Sequence, residues 1–128
     1  MSSEARQSLL PETIVHRVGG AEIENLRLSP LDVGLIPPGI SMLLGGSPHE
    51  ASAAMRSALP RSRKWQVKAG TVATTTVESI RHVGFDLILD PTDRFPNHVR
   101  LIHPQGIAGF SDENLAVLAL MFTVTRGC

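Results

Sequence analysis

Apolar residues along this chain fall in short runs separated by Gly, Pro and polar clusters, and the spacing inside each run limits what it can form. Ile14, Val15 and Val18 belong to a β-branched stretch over 12–18 that closes on Gly19-Gly20, which predicts a strand and a turn. Ile23, Leu26 and Leu28 anchor a less regular segment, and Pro30 and Pro37-Pro38-Gly39 bracket a loop. Ile40-Ser41-Met42-Leu43-Leu44 ahead of Gly45-Gly46 predicts a short buried strand. Ser47-Pro48-His49-Glu50 is a helix start: Ser47 caps, Pro48 suits the first turn and Glu50 completes a capping box. Ala51, Ala54, Met55, Ala58 and Leu59 follow at helical spacing until Pro60 stops the helix. The stretch 65–73 predicts a further strand, and a second box from Thr75 to Glu78 opens a short helix through Val77 and Ile80 that ends near Gly84. Residues 85–89 and 98–103 predict two more strands, and Ser111 caps a final helix from 112 to about 124.

That final helix carries Leu115, Val117, Leu118, Leu120, Met121 and Phe122 around nearly its whole circumference. A helix apolar all round has to be covered on more than one side. It either crosses the centre of the domain or turns one face to a protein partner or a second copy of the chain. Strands interspersed with three helices predict an α+β fold: one small mixed sheet with three helices, in a single domain over 12–125. Residues 1–11 are polar, end at Pro11 and predict a flexible tail.

Composition narrows the partners. At 128 residues the expectation is one core. Lys plus Arg equals Asp plus Glu at 12 each, so no overall field draws the protein to nucleic acid or to an anionic membrane. The single cysteine, Cys128, allows no internal disulfide, which fits a reducing compartment. Residues 1–10 include Glu4 and Arg6 and lack the apolar stretch of a secretory signal, and the longest apolar run, 115–122, is too short to span a bilayer. The expected location is the cytoplasm.

Chemistry concentrates in Asp90-Pro91-Thr92-Asp93-Arg94-Phe95-Pro96-Asn97-His98-Val99-Arg100-Leu101-Ile102-His103-Pro104. Alternation along a strand turns Val99 and Leu101 to the core and sets His98 and Arg100 together on the other face. An arginine beside a histidine can bind phosphate or carboxylate, because guanidinium makes planar paired hydrogen bonds and imidazole titrates near neutrality. The alternative is a solvated sheet face on which Asp90 or Asp93 pairs with them. His103 lies on the core parity, where its ring is expected to bond a loop carbonyl. No metal is expected, since His98 and His103 fall on opposite faces of a strand and the only thiol is Cys128. That cysteine lacks a setting that would lower its pKa, no serine nucleophile elbow is present, and Gly45-Gly46-Ser47 lacks the lysine of a phosphate loop. Those glycines either make a turn or offer amides to an anion. Arg61-Ser62-Arg63-Lys64-Trp65 is either an exposed turn whose tryptophan packs on the body or a site for charge and stacking.

The run Gly84-Phe85-Asp86-Leu87-Ile88-Leu89-Asp90, a polar loop, then His98-Val99-Arg100-Leu101-Ile102-His103-Pro104 and an apolar helix resembles the C-terminal half of small ADP-ribosyltransferase-like toxins. These are delivered by bacterial type VI secretion or belong to toxin–antitoxin systems. Ile14-Val15-His16-Arg17-Val18 and Gly39-Ile40-Ser41-Met42 are similar to the arginine-bearing first strand and the Gly-x-Ser strand of that family. The resemblance implies an NAD-binding cleft in which Arg17 holds phosphate, Ser41 lines the nicotinamide side and His98 sits on the later strand. It further implies Arg17, Ser41, His98 and Arg100 as the catalytic set and Arg17, Ser41, Asn97 and His98 as the cofactor-binding set. The other class open is a non-catalytic interaction module, such as a subunit, adapter or neutralising partner in a bacterial defence or toxin system, docking through the final helix.

Overall fold

The computed structural model describes residues 9–128. Six strands form one sheet: β1 (Ile14–Val18), β2 (Ile40–Leu44), β3 (Thr71–Thr76), β4 (Asp86–Leu89), β5 (His98–Ile102) and β6 (Thr123–Arg126), in the order β4-β5-β2-β1-β3-β6. The fold is α+β. Every strand pair is antiparallel, so the sheet is not mixed as the element order had implied. Six α-helical segments accompany it, more than the three expected. These are α1 (Ile23–Leu26), α2 (Pro30–Val33), α3 (Pro48–Ala58), α4 (Arg63–Lys68), α5 (Val77–His82) and α6 (Asp112–Ala119). Most of the surplus is single turns: Ser29 and Asp32 cap α2 reciprocally, a box too short to be distinguished from a loop by periodicity.

Alternation along the strands makes two cores. Val15, Met42, Val99 and Leu101 project to one side of the sheet, where they join Leu26, Ile80, Leu87, Leu115 and Leu118 beneath α1, α5 and α6. Val18, Leu43 and Val72 project to the other side and meet Ala51, Met55, Trp65 and Ala69 of the α3–α4 layer. Ser47 and Glu50 cap α3 as the sequence predicts, whereas the second box is shifted by one residue, with Thr76 accepting the Ser79 amide.

Two apolar segments depart from expectation. Within the stretch 65–73 the chain forms the end of α4 before β3 begins, because Ser62 caps a turn in which Arg63, Lys64, Gln66 and Lys68 are good helix formers. The final helix ends at Ala119, and the β-branched run Thr123-Val124-Thr125 continues as the edge strand β6 against β3. The chain's end is not frayed. The Cys128 amide donates to the Gly70 carbonyl at 3.0 Å, and Arg56 Nη1 donates to the Cys128 carbonyl at 2.8 Å. The expected tail lies mostly outside the described residues, but its last part is anchored: Leu9 is buried, and the Glu78 amide donates to the Pro11 carbonyl at 2.8 Å.

Gly39 is required by the β2–β5 pairing. A Cβ there would overlap the carbonyl oxygen of Leu101 and lie 2.7 Å from Arg100 Cγ. Gly39→Ala is therefore expected to cost about 3 kcal/mol of stability, as overpacking against backbone does. A urea unfolding midpoint equal to wild type would contradict that.

Candidate functional site

A cleft of about 680 Å³ opens on the α3–α4 side of the sheet. Its floor comes from three neighbouring strands: His16, Arg17 and Val18 of β1, Ser41 and Leu43 of β2, and His98 of β5. Met55, Leu59, Lys64, Trp65 and Lys68 wall one side, while Thr92 and Phe95 and the α1–α2 segment complete the rim. Ser41 is exposed although β2 is a central strand, because no helix covers it. An antiparallel sheet tolerates one such open face.

Arg17, Ser41 and His98, three residues that the sequence singled out, meet in this cleft. Arg17 has the parity of Val15 and so starts from the α1 side of the sheet, and it reaches the cleft where the β1–β2 pairing stops beyond His16 and Leu43. Its Nε and Nη2 donate to the Asn25 carbonyl at 2.9 and 2.6 Å, and its Nη1 donates to the Ser41 carbonyl at 2.9 Å. Burial lowers this guanidinium to about 10, with Asp32 acting in the opposite direction, so Arg17 is cationic at neutral pH. Three of its five N–H groups are used, which leaves two for a ligand.

His98 is held by Asp90. Its Nδ1 lies 2.8 Å from the Asp90 carbonyl and 3.4 Å from Asp90 Oδ2. Two acceptors at one nitrogen assign the neutral ring's proton to Nδ1 and leave the Nε2 lone pair unbonded among the described residues. Arg100 and Asn97 do not line the cleft. Arg100 Nη2 donates to Asp90 Oδ2 at 2.9 Å, Nη1 donates to the Pro37 carbonyl at 3.0 Å, and Nε is buried without a partner. An arginine so tied down is a latch between β5 and the Pro37 loop. Asp90 thus pairs with both His98 and Arg100, the alternative recognised in the sequence. Asn97 exchanges bonds with Leu44, its Nδ2 donating to the Leu44 carbonyl at 2.8 Å and its carbonyl accepting the Leu44 amide at 2.9 Å.

The remaining histidines of interest are structural. His16 is fully buried, with Nδ1 2.9 Å from Thr74 Oγ1 and Nε2 3.0 Å from the carbonyls of both Gly45 and Gly46. Gly45 and Gly46 have φ of 71° and 72°, a left-handed turn that serves the β2–α3 connection. His103 accepts the Gln105 amide at 3.1 Å instead of donating to a carbonyl, and it packs edge-on against Phe85 at 4.8 Å.

What sequence reading missed is α4. The basic turn at 61–65 becomes a helix whose Lys64, Trp65 and Lys68 face the cleft. Lys68 Nζ donates to Asn25 Oδ1 at 3.0 Å and lies 4.9 Å from the Trp65 ring centre; Lys64 Nζ lies 5.9 Å from it. Burial, then the charges of Lys64 and Arg17, lower the Lys68 ammonium. The i, i+4 spacing of the two lysines was a readable signal once the segment was taken as helical. Among the described residues, no group of three or more His, Cys, Asp or Glu side chains is arranged to hold a metal ion, and no helix is long and apolar enough to cross a membrane.

No family model matches the chain, and no curated protein or solved structure is significantly similar to it.

Proposed function

We propose that this cleft is the NAD site of an ADP-ribosyltransferase-like toxin of a bacterial conflict system. The observation that carries the reading is the convergence of Arg17, Ser41 and His98, from three adjacent strands, on one cavity large enough for a nucleotide. Arg17 offers its remaining N–H groups to a phosphate. Ser41 gives an exposed hydroxyl on the floor, and His98 Nε2 accepts a hydrogen bond from a ribose hydroxyl. In the transfer, the bond between ribose C1′ and the nicotinamide nitrogen breaks and its electron pair leaves with neutral nicotinamide. An acceptor oxygen or nitrogen forms the new bond to C1′ and releases its proton. The preorganised dipoles around such a centre, more than any single group, set the rate.

The test uses Trp65, the only tryptophan, as reporter. Saturable quenching of its emission by NAD, growth arrest on expression in a bacterium, and relief of that arrest by His98→Ala are the expected results. Harmless wild-type expression together with no NAD response sets the reading aside.

A second reading, a non-catalytic interaction module acting in the cytoplasm, is supported by exposed apolar residues, one of them, Leu31, at the rim of the cleft. Leu31 is 86% and Ile36 95% exposed, while the large apolar residues that α6 and its cap turn outward are Val117 and Leu120. Surface apolar groups this open favour a protein partner or a second copy of the chain. Harmless expression with stable capture of a partner is its expected signature.

A further inference from the structure

Three cations meet at this cleft without a direct ion pair among the described residues, although Glu24 and Asp32 also line it. The ion pairs among the described residues are Arg27 with Asp112, Arg81 with Asp86, and Asp90 with both His98 and Arg100. None includes Arg17, Lys64 or Lys68. Arg17 and Lys68 nevertheless lean on one residue, since the Asn25 carbonyl accepts from the guanidinium and Asn25 Oδ1 from the ammonium. Asn25 Nδ2 meanwhile clamps the preceding turn through the carbonyls of Val18 and Gly20, at 3.2 and 2.6 Å. Gly19, at φ 101°, makes that arrangement possible: a Cβ there would press on Asn25 and on Lys68 Cε at 3.0 to 3.1 Å.

Holding like charges together opposes folding and goes unrewarded unless something negative joins them. The acids at the rim fill that role only in part, since Asp32 acts on Arg17 through space without pairing with it. Asp32 accepts the Ser29 amide at 2.9 Å in the α2 cap, and Glu24 pairs with none of the three. Covering the Trp65 ring does not explain the arrangement either, because a single lysine stem would suffice. In a chain of zero net charge, such local excess is concentrated where a ligand would enter.

We infer that Lys64 and Lys68 of α4, held over the Trp65 ring, together with Arg17 form a subsite for a diphosphate group. Two ammoniums and a guanidinium match an anion that spreads several charges over many oxygens, as a diphosphate does and a single carboxylate does not. This rests on the reading of the cleft as the ligand site, and it extends that reading to residues for which the toxin resemblance implies no role.

The experiment is a titration of the full chain with inorganic pyrophosphate at low salt, followed by Trp65 emission, and repeated with adenosine and with NAD. Wild type is expected to bind pyrophosphate saturably, with affinity falling as salt rises. Lys64→Met/Lys68→Met keeps the apolar stems on Trp65 and is expected to lose about tenfold or more per lysine, the scale of one charge-assisted contact, in a protein whose circular dichroism is that of the folded wild type. Lys64→Arg/Lys68→Arg is expected to restore binding. The inference is overturned if pyrophosphate gives no response, or if the methionine variant binds it as wild type does. Pyrophosphate binding without an NAD response would leave the subsite standing and remove the NAD reading. NAD binding equally strong in wild type and the methionine variant would do the reverse.

Discussion

Leu118→Asp is expected to abolish the folded state. Leu118 is fully buried in the larger of the two cores, together with Leu115, Val15 and Ile80. The substitution removes a buried leucine, worth about 2–5 kcal/mol, and places a carboxyl where no partner is available, which costs several more. Together these rival the total stability expected of a domain this size, about 5–15 kcal/mol. Far-ultraviolet circular dichroism and a thermal melt check it. Leu120→Asp is the control. Leu120 is 79% exposed at the end of α6, and its replacement is expected to change stability by less than about 0.5 kcal/mol. A folded Leu118→Asp protein with altered size on gel filtration would mean that α6 turns its main face outward, to a partner. The buried state of both Leu115 and Leu118 predicts otherwise.

Arg17→Met is expected to have the largest effect on ligand binding. The guanidinium bridges the carbonyls of Asn25 and Ser41, so it ties α1 to β2 as well as charging the cleft. Removing it leaves the part-buried Asn25 carbonyl and the exposed Ser41 carbonyl without this donor, at about 1–2 kcal/mol. It also deletes the one cation that reaches the cleft from the sheet, and affinity for pyrophosphate or NAD should drop on the order of 100-fold, the scale of a lost charged, paired contact. Arg17→Lys separates the two roles. It keeps the charge but cannot bridge two carbonyls with one planar fork, so it should recover part of the binding and little of the stability. Melting curves and the Trp65 titration report the two effects independently. Wild-type affinity in Arg17→Met would remove Arg17 from the site altogether.

Much of the framework was legible because its signals are local. The capping box at Ser47 and Glu50 and the β-branched run ending at Gly19 each specify an element without reference to the rest of the chain. The alternation that puts Val99 and Leu101 on one face and His98 on the other likewise held in the structure. What was hidden depends on contacts between distant segments. The apolar run from Leu115 to Phe122 conceals the end of the helix, because Leu115 and Leu118 pack in the core while the turn after Ala119 redirects the chain so that β6 pairs with β3. His98 and Arg100 sit one pleat apart as expected. Only the fold shows that Asp90 and Pro37 engage Arg100 and leave the imidazole at the cleft. Lys64 reads as part of a basic turn and Lys68 as part of a strand until α4 is seen to stand over the floor formed by Val18 and Leu43.

Asn25 gives the cleft an unusual economy of control. One amide side chain and its own carbonyl set where two positive groups stand, and it belongs to a single-turn segment outside the sheet. Insertions or exchanges around residues 19–25 would shift the separation of those charges while every strand kept its register. Preference among anions of different length could therefore diverge between descendants of this chain without any cost to the scaffold that carries them.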